Sequence, residues 1–227
     1  AAVLLAHAVR PAKFWPWLQE LNGAPADMKS ANKFFVACTV DYHRRSEDAW
    51  TNVRRWAEMT MGDPPDLLHR IASTYADDWQ AKKGEYELHW LAAGHRRVRD
   101  IAVQVVSRYG GDAGRIWTGQ TPDVALRRLE SLGVGPQLSR MTVGALIDTG
   151  QIVGKTDIKA DTHTMRVLGR VFRGQTGDEA TATKLARAIS PDNPWAVDLP
   201  AYMLGQRECR PTAPRCPECY LQPECAY

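Results

Sequence analysis

Residues 209–225 have the sequence CRPTAPRCPECYLQPEC, in which four cysteines are spaced C-x6-C-x2-C-x5-C. A loop this short that closes on four thiolates can hold one metal centre and fix the C-terminal segment in place. The fifth cysteine, Cys38, lies far upstream in an apolar run. The candidate metal ligands are therefore Cys209, Cys216, Cys219 and Cys225.

Three uses of these four thiols are open. Disulfides are typical of oxidising compartments, and nothing in the sequence resembles an export signal. Structural zinc sites usually carry two C-x2-4-C pairs, and this loop has one. A [4Fe–4S] cluster accepts four cysteines at uneven spacing. The spacing favours an iron–sulfur cluster but leaves zinc and disulfides as alternatives.

Composition restricts the function less than this loop does. The 227 residues have ordinary apolar and charged content and a formal net charge of +3. Four thiolates around a cluster would bring the total close to neutral, so bulk charge does not indicate a nucleic-acid partner. The apolar run Ala1–Ala6 is too short to span a membrane or to serve as a signal sequence. We expect a cytoplasmic protein in a reducing compartment, with no membrane partner.

The apolar periodicity is helical almost throughout, with no convincing alternating strand pair. Apolar residues from Val98 to Tyr109 follow i, i+3, i+4, i+7 spacing, and Gly110-Gly111 ends that helix. The sequence predicts an all-α fold. Helices are predicted to begin at Thr121-Pro122-Asp123 and at Asp63–Asp66, with further helices over 33–60, 141–149, 162–172, 178–189 and 195–207.

Two motifs stand in the centre of the chain. Leu132-Gly133-Val134-Gly135 separates two apolar helices, and such a turn can bind a phosphate through its amides. It can equally be a plain helix–helix connector. Asp161 comes just before the apolar set of the next helix and fits an N-cap, which by itself requires no function.

The order of these motifs resembles the endonuclease III/MutY branch of the helix-hairpin-helix DNA glycosylases. The stretch Ala160–Val167 (ADTHTMRV) is similar to that family's V-D-T-H-x-x-R-V, and the cysteine loop follows at the C-terminus. The resemblance covers roughly residues 30–227 and implies a [4Fe–4S] cluster. It also implies two domains with the active-site cleft between them. Residues 28–155 would form a six-helix barrel domain that contains the hairpin, and residues 1–27 and 156–227 would form a helical domain that carries the cluster.

The resemblance assigns Asp161 the catalytic role, in which its carboxylate stabilises the cationic sugar formed when the bond to a flipped base breaks. Bifunctional members carry a lysine after the hairpin glycines, in G-V-G-R-K-T. Without a gap, Gln137 takes that position. In the register preferred here, Met141 takes it, and Gln137 and Ser139 replace the glycines. Neither register supplies an amine, so we expect base hydrolysis with weak or absent strand nicking unless Lys155 or Lys159 substitutes.

Other parts of the site are divergent. Tyr42, His43 and His95 are the candidates for lining the base pocket or wedging the duplex. The resemblance implies a monomer that binds double-stranded DNA with a damaged or mismatched base, in the bacterial nucleoid. Residues expected to contact DNA are the hairpin group Gly133, Gly135, Ser139 and Arg140, and three basic groups: Arg44 and Arg45; Arg96 and Arg97; Arg210 and Arg215.

Two other functions remain open at the level of sequence. The altered hairpin fits a catalytically weak or inactive protein that binds damaged or distorted DNA. A zinc ion in the cysteine loop would instead fit a helical protein–protein interaction module.

Overall fold

The computed structural model describes residues 2–6, 18, 21, 25–42, 46–58, 66–74, 88–89 and 92–227. These residues form helices and contain no strand, which confirms the all-α prediction. None of the described helices is both long enough and apolar enough to cross a membrane. The α-helices are α1 (Ala2–Ala6), α2 (Met28–Val40), α3 (Ser46–Glu58), α4 (Leu67–Ser73), α5 (Ala92–Tyr109), α6 (Pro122–Ser131), α7 (Pro136–Asp148), α8 (Thr162–Arg173), α9 (Glu179–Ile189) and α10 (Asp198–Arg207).

The chain folds as two compact units. One comprises Ala1–Trp15 together with Gly154–Tyr227, and the other comprises Pro16–Val153. The division predicted from the sequence, with boundaries after residues 27 and 155, stays a prediction for the functional domains.

The Pro16–Val153 unit is built around aromatic packing. The Phe34 ring lies 6.3 Å from Trp50 and meets Trp117 edge-on at 6.1 Å. Buried Asn32 donates to the Gly111 carbonyl and accepts from the Ala113 amide, both at 2.8 Å, so one side chain satisfies two polar groups of a buried turn. The turn itself follows α5, which ends where Gly110 and Gly111 take positive φ angles of 66° and 80°.

In the other unit, α8 packs against α9 and α10. Gly205 of α10 lies so close to α8 that an added Cβ would sit 2.8 Å from the His163 Cβ. Gly169 of α8 is similarly close to the backbone at Gly177, where a Cβ would lie 2.1 Å from the amide nitrogen. These two glycines let α8 touch both α10 and the loop that leads to α9.

Three helix predictions were wrong in detail. The helix predicted over 141–149 begins earlier, at Pro136, and is α7. The helix predicted over 33–60 is two helices, α2 and α3, since Asp41 leaves helical geometry with ψ at 62°. The helix predicted over 195–207 begins with a 3-10 turn, Pro194–Val197, and continues as α10. Apolar residues continue through the second break, at Pro194–Val197, so periodicity alone did not locate it.

Candidate functional site

Asp161 is the N-cap of α8. Its Oδ1 accepts from the amides of His163 and Thr164, both at 2.9 Å, and from the Thr164 hydroxyl at 3.1 Å. Among the described residues, none donates to Oδ2. The half-buried carboxylate is therefore fixed through one oxygen and can offer the other to a ligand.

The backbone before Asp161 is held in an unusual conformation. Ala160 is fully buried and has φ of +50°, a region that residues other than glycine rarely adopt. On its N-terminal side, the Lys159 amide donates at 3.0 Å to Oδ1 of Asp198 at the start of α10. The buried Asp198 carboxylate thus fixes the strained segment that delivers Asp161 to its cap position. Sequence reasoning missed Asp198, whose contact joins residues 39 apart in the chain.

Arg166, one turn beyond Asp161, ties α8 to the start of the cysteine loop. It is only 7% exposed, and it donates to the carbonyls of Cys209 at 2.7 Å and Gly205 at 2.9 Å. The Gly205 carbonyl is one of those at the C-terminal end of α10, which lack partners within their own helix. Burial lowers the pKa of Arg166, and the Cys209 thiol opposes that shift.

Arg170 repeats this connection one turn further along α8. Its Nη1 donates to the Arg210 carbonyl at 2.6 Å and its Nη2 to the Pro211 carbonyl at 3.1 Å. Its guanidinium lies 4.4 Å from the centre of the Tyr227 ring. One helix therefore begins with Asp161 and anchors the cysteine loop with two arginines four residues apart.

The four loop cysteines line one cavity of about 290 Å³, together with Leu204, Arg170 and Tyr227. Burial raises the pKa of the Cys219 thiol, against the amide of Leu221 and with help from the thiols of Cys209 and Cys225. The thiols line the cavity wall instead of meeting at one point. In the described part of the chain, no three His, Cys, Asp or Glu side chains are gathered closely enough to hold a single ion.

The helix–turn–helix predicted around the glycine pair lies in the other unit. Thr121 caps α6 by accepting from the Val124 amide at 3.4 Å, and Gly135 is the N-cap of α7 without a side-chain cap. Gly133 adopts φ of +90°, a conformation that favours glycine. The turn is closed by the Val134 amide, which donates to the Leu129 carbonyl at 3.2 Å.

The structure places the residues of both sequence registers in this turn and in α7. The turn comprises residues 132–135, and α7 begins at Pro136, so Ser139 lies inside the helix. Ser139 is fully buried, and its hydroxyl donates to the Val134 carbonyl of the turn at 3.2 Å. A buried side chain bonded in this way stabilises the turn and is not placed to bind DNA. Gln137 is the second residue of α7, and Met141 lies a turn further on. Which of the two stands at the lysine position of bifunctional members stays a prediction.

Tyr42 lies against a histidine that the sequence did not single out. Its ring stacks on His89 at 4.3 Å with an interplanar angle of 24°, and His89 Nε2 lies 3.2 Å from the Tyr42 carbonyl oxygen. Arg97 of α5 completes the group, with its guanidinium 5.3 Å from the Tyr42 ring centre. The same guanidinium donates at 3.2 Å to the Gly133 carbonyl, so it also reaches the turn before α7.

The remaining candidates differ in accessibility. His95 is 7% exposed, so it does not fit the wedge role predicted for it. Arg96, Arg210 and Arg215 are exposed, and Arg140 is half-buried on α7. Arg215 pairs with Glu218 at 3.6 Å, and the Arg210 Nε donates to the Arg207 carbonyl at 3.1 Å. His43, Arg44 and Arg45 lie outside the described residues.

The comparison with solved structures establishes the fold as that of endonuclease III. A trapped covalent intermediate of endonuclease III with DNA, an estranged-adenine complex, aligns with a TM-score of 0.63 over 94% of this chain and 90% of that one, at 18% identity. A non-covalent endonuclease III–DNA complex aligns with a TM-score of 0.61 over 94% of this chain and 89% of that one, also at 18% identity.

A curated relative agrees with the fold. The chain is 26% identical over 132 residues to the Endonuclease III of Thermotoga maritima (strain ATCC 43589 / DSM 3109 / JCM 10099 / NBRC 100826 / MSB8), a match that covers 58% of this chain. It covers 55% of the relative, so the chain spans about half the length of the curated protein it matches. No family model matches the chain. The protein is endonuclease III-like and divergent, as the resemblance inferred from its motifs implied.

Proposed function

We propose that this protein is a DNA glycosylase that hydrolyses the bond between the sugar and a damaged or mismatched base of duplex DNA. The observation that carries the proposal is Asp161, whose carboxylate is fixed by three hydrogen bonds to Oδ1 while Oδ2 accepts none from the described residues. A carboxylate held in this way needs little reorganisation when positive charge develops on a sugar. The likeness to endonuclease III in fold and sequence supports this role.

Asp161 would act in two ways on one nucleotide. Its outward oxygen would stabilise the cationic sugar as the base leaves, and it would orient the water that attacks the same carbon. The bond between sugar and base breaks, the base leaves with the electron pair, and the attacking water supplies the new hydroxyl and releases a proton. Because the base is unreachable within the helical stack, the nucleotide has to be extruded first.

A lyase step through an imine is disfavoured, because the hairpin offers no amine. Gln137, the second residue of α7, would stand at the lysine position of bifunctional relatives in the ungapped register, and Met141 would stand there in the other. Lys155 and Lys159 precede Asp161 in the chain and are the other candidate amines. The Lys155 ammonium donates to the Pro191 carbonyl at 3.3 Å, within the unit that contains Asp161. Strand nicking is therefore expected to be weak or absent.

The cysteine loop fits the [4Fe–4S] cluster that the resemblance implies. Four thiols line one cavity of about 290 Å³, and thiolates spread around a cavity suit a multi-iron cluster better than a single ion, whose sulfur ligands lie at about 2.3 Å. Cys209, Cys216, Cys219 and Cys225 would be its ligands. When bound, the cluster would supply four metal–sulfur bonds that hold the loop closed, while Arg166 and Arg170 fix the loop's start to the helix that Asp161 begins.

A second candidate function rests on the hairpin. Pro136 removes one backbone donor at the start of α7, and neither Gln137 nor Met141 supplies the amine of bifunctional relatives. We therefore expect phosphate binding and catalysis to be altered there. These changes suit a protein of the same fold that binds damaged or distorted DNA without releasing a base. It would bind lesion duplexes tightly and yield no free base from any of them.

The test is base release from a panel of duplexes, each carrying one lesion or mismatch, with every sample divided and developed with or without alkali. Strand scission only after alkali supports the hydrolytic glycosylase and identifies the lesion class. Scission without alkali would contradict the monofunctional assignment and point to an unrecognised amine. Binding without base release from any lesion would favour the second candidate. Iron and zinc content, with absorbance near 400 nm, decides the metal separately.

A further inference from the structure

Three side chains of the Pro16–Val153 unit form a layered stack, which we call the His89–Tyr42–Arg97 stack. His89 lies fully buried at its base, and its ring covers one face of Tyr42 at 4.3 Å. A second group cannot share that face at this distance, so the Arg97 guanidinium, 5.3 Å from the ring centre, covers the other. His89 is fully buried while Tyr42 and Arg97 are half-buried, so Arg97 forms the more exposed end of the stack.

The base of this stack is fixed by the path of α5. An added Cβ on Gly94 would lie 2.1 Å from Nδ1 of His89, so only glycine leaves room for the histidine ring. Arg97 follows Gly94 by three residues, which puts both on one side of the helix. The first turns of α5 therefore leave room for the His89 ring at Gly94 and place Arg97 over Tyr42.

The outer layer is fixed by the hairpin. Arg97 Nη2 donates at 3.2 Å to the carbonyl of Gly133, and it would lie 3.2 Å from a Cβ added to Gly135. A guanidinium has five N–H donors in one plane, so this bond orients the plane and leaves other donors for a ligand. A lysine could supply the charge at this point but not the flat surface.

We propose that Arg97 is a specificity-determining residue, whose guanidinium plane receives an unpaired base at the end of the His89–Tyr42–Arg97 stack. This inference rests on the proposed binding of duplex DNA but not on base release. Arginine planes and aromatic rings both stack on unpaired bases, and the interaction does not depend strongly on base identity. Tyr42 supports the guanidinium and does not itself meet the base.

The role makes a prediction that separates stacking from simple charge. A phosphate contact depends on the positive charge, which Arg97→Lys retains. A stacking platform depends on the planar group, which that substitution removes. The two probes are a fully paired duplex and the same duplex with one unpaired 2-aminopurine, whose fluorescence reports stacking. An already unpaired base costs little to extrude, so this probe isolates the contact of interest.

The measured quantity is the ratio of the two dissociation constants at fixed salt. We expect Arg97→Lys to leave the affinity for the paired duplex within about twofold and to reduce the preference for the unpaired base about five- to tenfold. Arg108→Lys is the matched control, because exposed Arg108 of the same helix also lies over a tyrosine ring, 5.7 Å from the centre of Tyr109, and donates to a carbonyl, that of Ser131, at 3.3 Å. It should leave the preference unchanged. Tyr42→Phe should behave as the wild type, since it keeps the ring that supports Arg97. Tyr42→Leu should reproduce the loss and add little to Arg97→Lys, because the layers act as one unit.

Four outcomes would overturn the inference. An unchanged preference in Arg97→Lys would mean that Arg97 acts only through its charge. An equal loss in Arg108→Lys would mean that the effect is not specific to Arg97. Additive losses in Arg97→Lys and Tyr42→Leu would separate the two layers. A wild-type protein that binds neither duplex would overturn this inference together with the proposed DNA binding. If the preference depends on Arg97 as predicted while no base is released from any lesion, the glycosylase proposal fails and the inference stands.

Discussion

Replacing Arg166 by methionine should destabilise the unit that contains the cysteine loop far more than removal of an exposed arginine from the same helix. The buried guanidinium donates to the carbonyls of Gly205 and Cys209, and its Nη1 donates to the Thr162 carbonyl at 3.2 Å. Methionine fills similar space but donates no hydrogen bond. Each carbonyl left unsatisfied in the interior costs about 1–3 kcal/mol.

Two of these carbonyls, those of Gly205 and Cys209, lie at the junction of α10 and the cysteine loop. Loss of the hydrogen bonds to both carbonyls should lower the free energy of unfolding by about 2–6 kcal/mol. Burying methionine costs less than burying a charge, which offsets about 1–2 kcal/mol of that decrease. A net loss of about 3 kcal/mol is a large share of the stability of an ordinary domain.

The assay is denaturant unfolding followed by circular dichroism, with iron content measured on the same preparations. Arg173→Met is the matched control, since Arg173 is exposed in the last turn of α8, and it should change the stability by less than about 0.5 kcal/mol. If Arg166→Met also changed the stability by less than about 0.5 kcal/mol, the argument that Arg166 satisfies the end of α10 would be refuted.

Three further predictions concern local geometry. Gly205→Ala should lower the free energy of unfolding by about 1–3 kcal/mol, because its methyl would meet the His163 Cβ at 2.8 Å, and an equal stability to wild type in denaturant would contradict that contact. Asp161→Ala removes the N-cap and should lower the free energy of unfolding by about 1 kcal/mol in the same assay. Asp161→Asn keeps a capping oxygen and should lower it by less. The reverse order of the two variants would refute the cap. The amide of Ser30 holds the pKa of Asp27 below its ordinary 3.8, so the charged form is favoured in the folded state. The stability from this cap is present above pH 3.8 and is lost as the pH falls through the lower folded value, which carboxyl NMR titration of Asp27 would show as a depressed midpoint.

The sequence was sufficient for the features that are local in the chain. The cap at Asp161, the glycine turn at 132–135 and the end of α5 at Gly110-Gly111 each depend on residue types within a few positions. Such short-range chemistry is similar in any fold that contains these helices, so the pattern alone predicted it.

The sequence was insufficient where a role depends on packing between distant segments. Asp198 and His89 carry no local motif, and their partners Lys159 and Tyr42 lie 39 and 47 residues away. The one available signal for His89 was Gly94, a glycine near the start of α5 that weakens the helix. The glycine is required there because the His89 ring occupies the space that a side chain would fill.

The hairpin register rests on two signals of different range. Counting back from Asp161 favours Met141 as the lysine position, but the connection between α7 and Asp161 has its own length and can vary as loops do. The turn at Gly133 and Gly135 is a local constraint, and the residue two positions after it, the second of α7, is Gln137. The choice between Met141 and Gln137 stays a prediction.

The central claim is tested most directly by base release in a single turnover, with wild type and Asp161→Asn compared on the lesion duplex that the panel identifies. Asparagine retains the helix cap and similar size, so binding to the duplex reports that the site is intact. We expect the variant to bind the duplex as well as the wild type and to release the base at least about 100-fold more slowly, because the charge facing the sugar is gone. Base release by Asp161→Asn within about twofold of the wild-type rate would contradict the role of this carboxylate and the mechanism built on it.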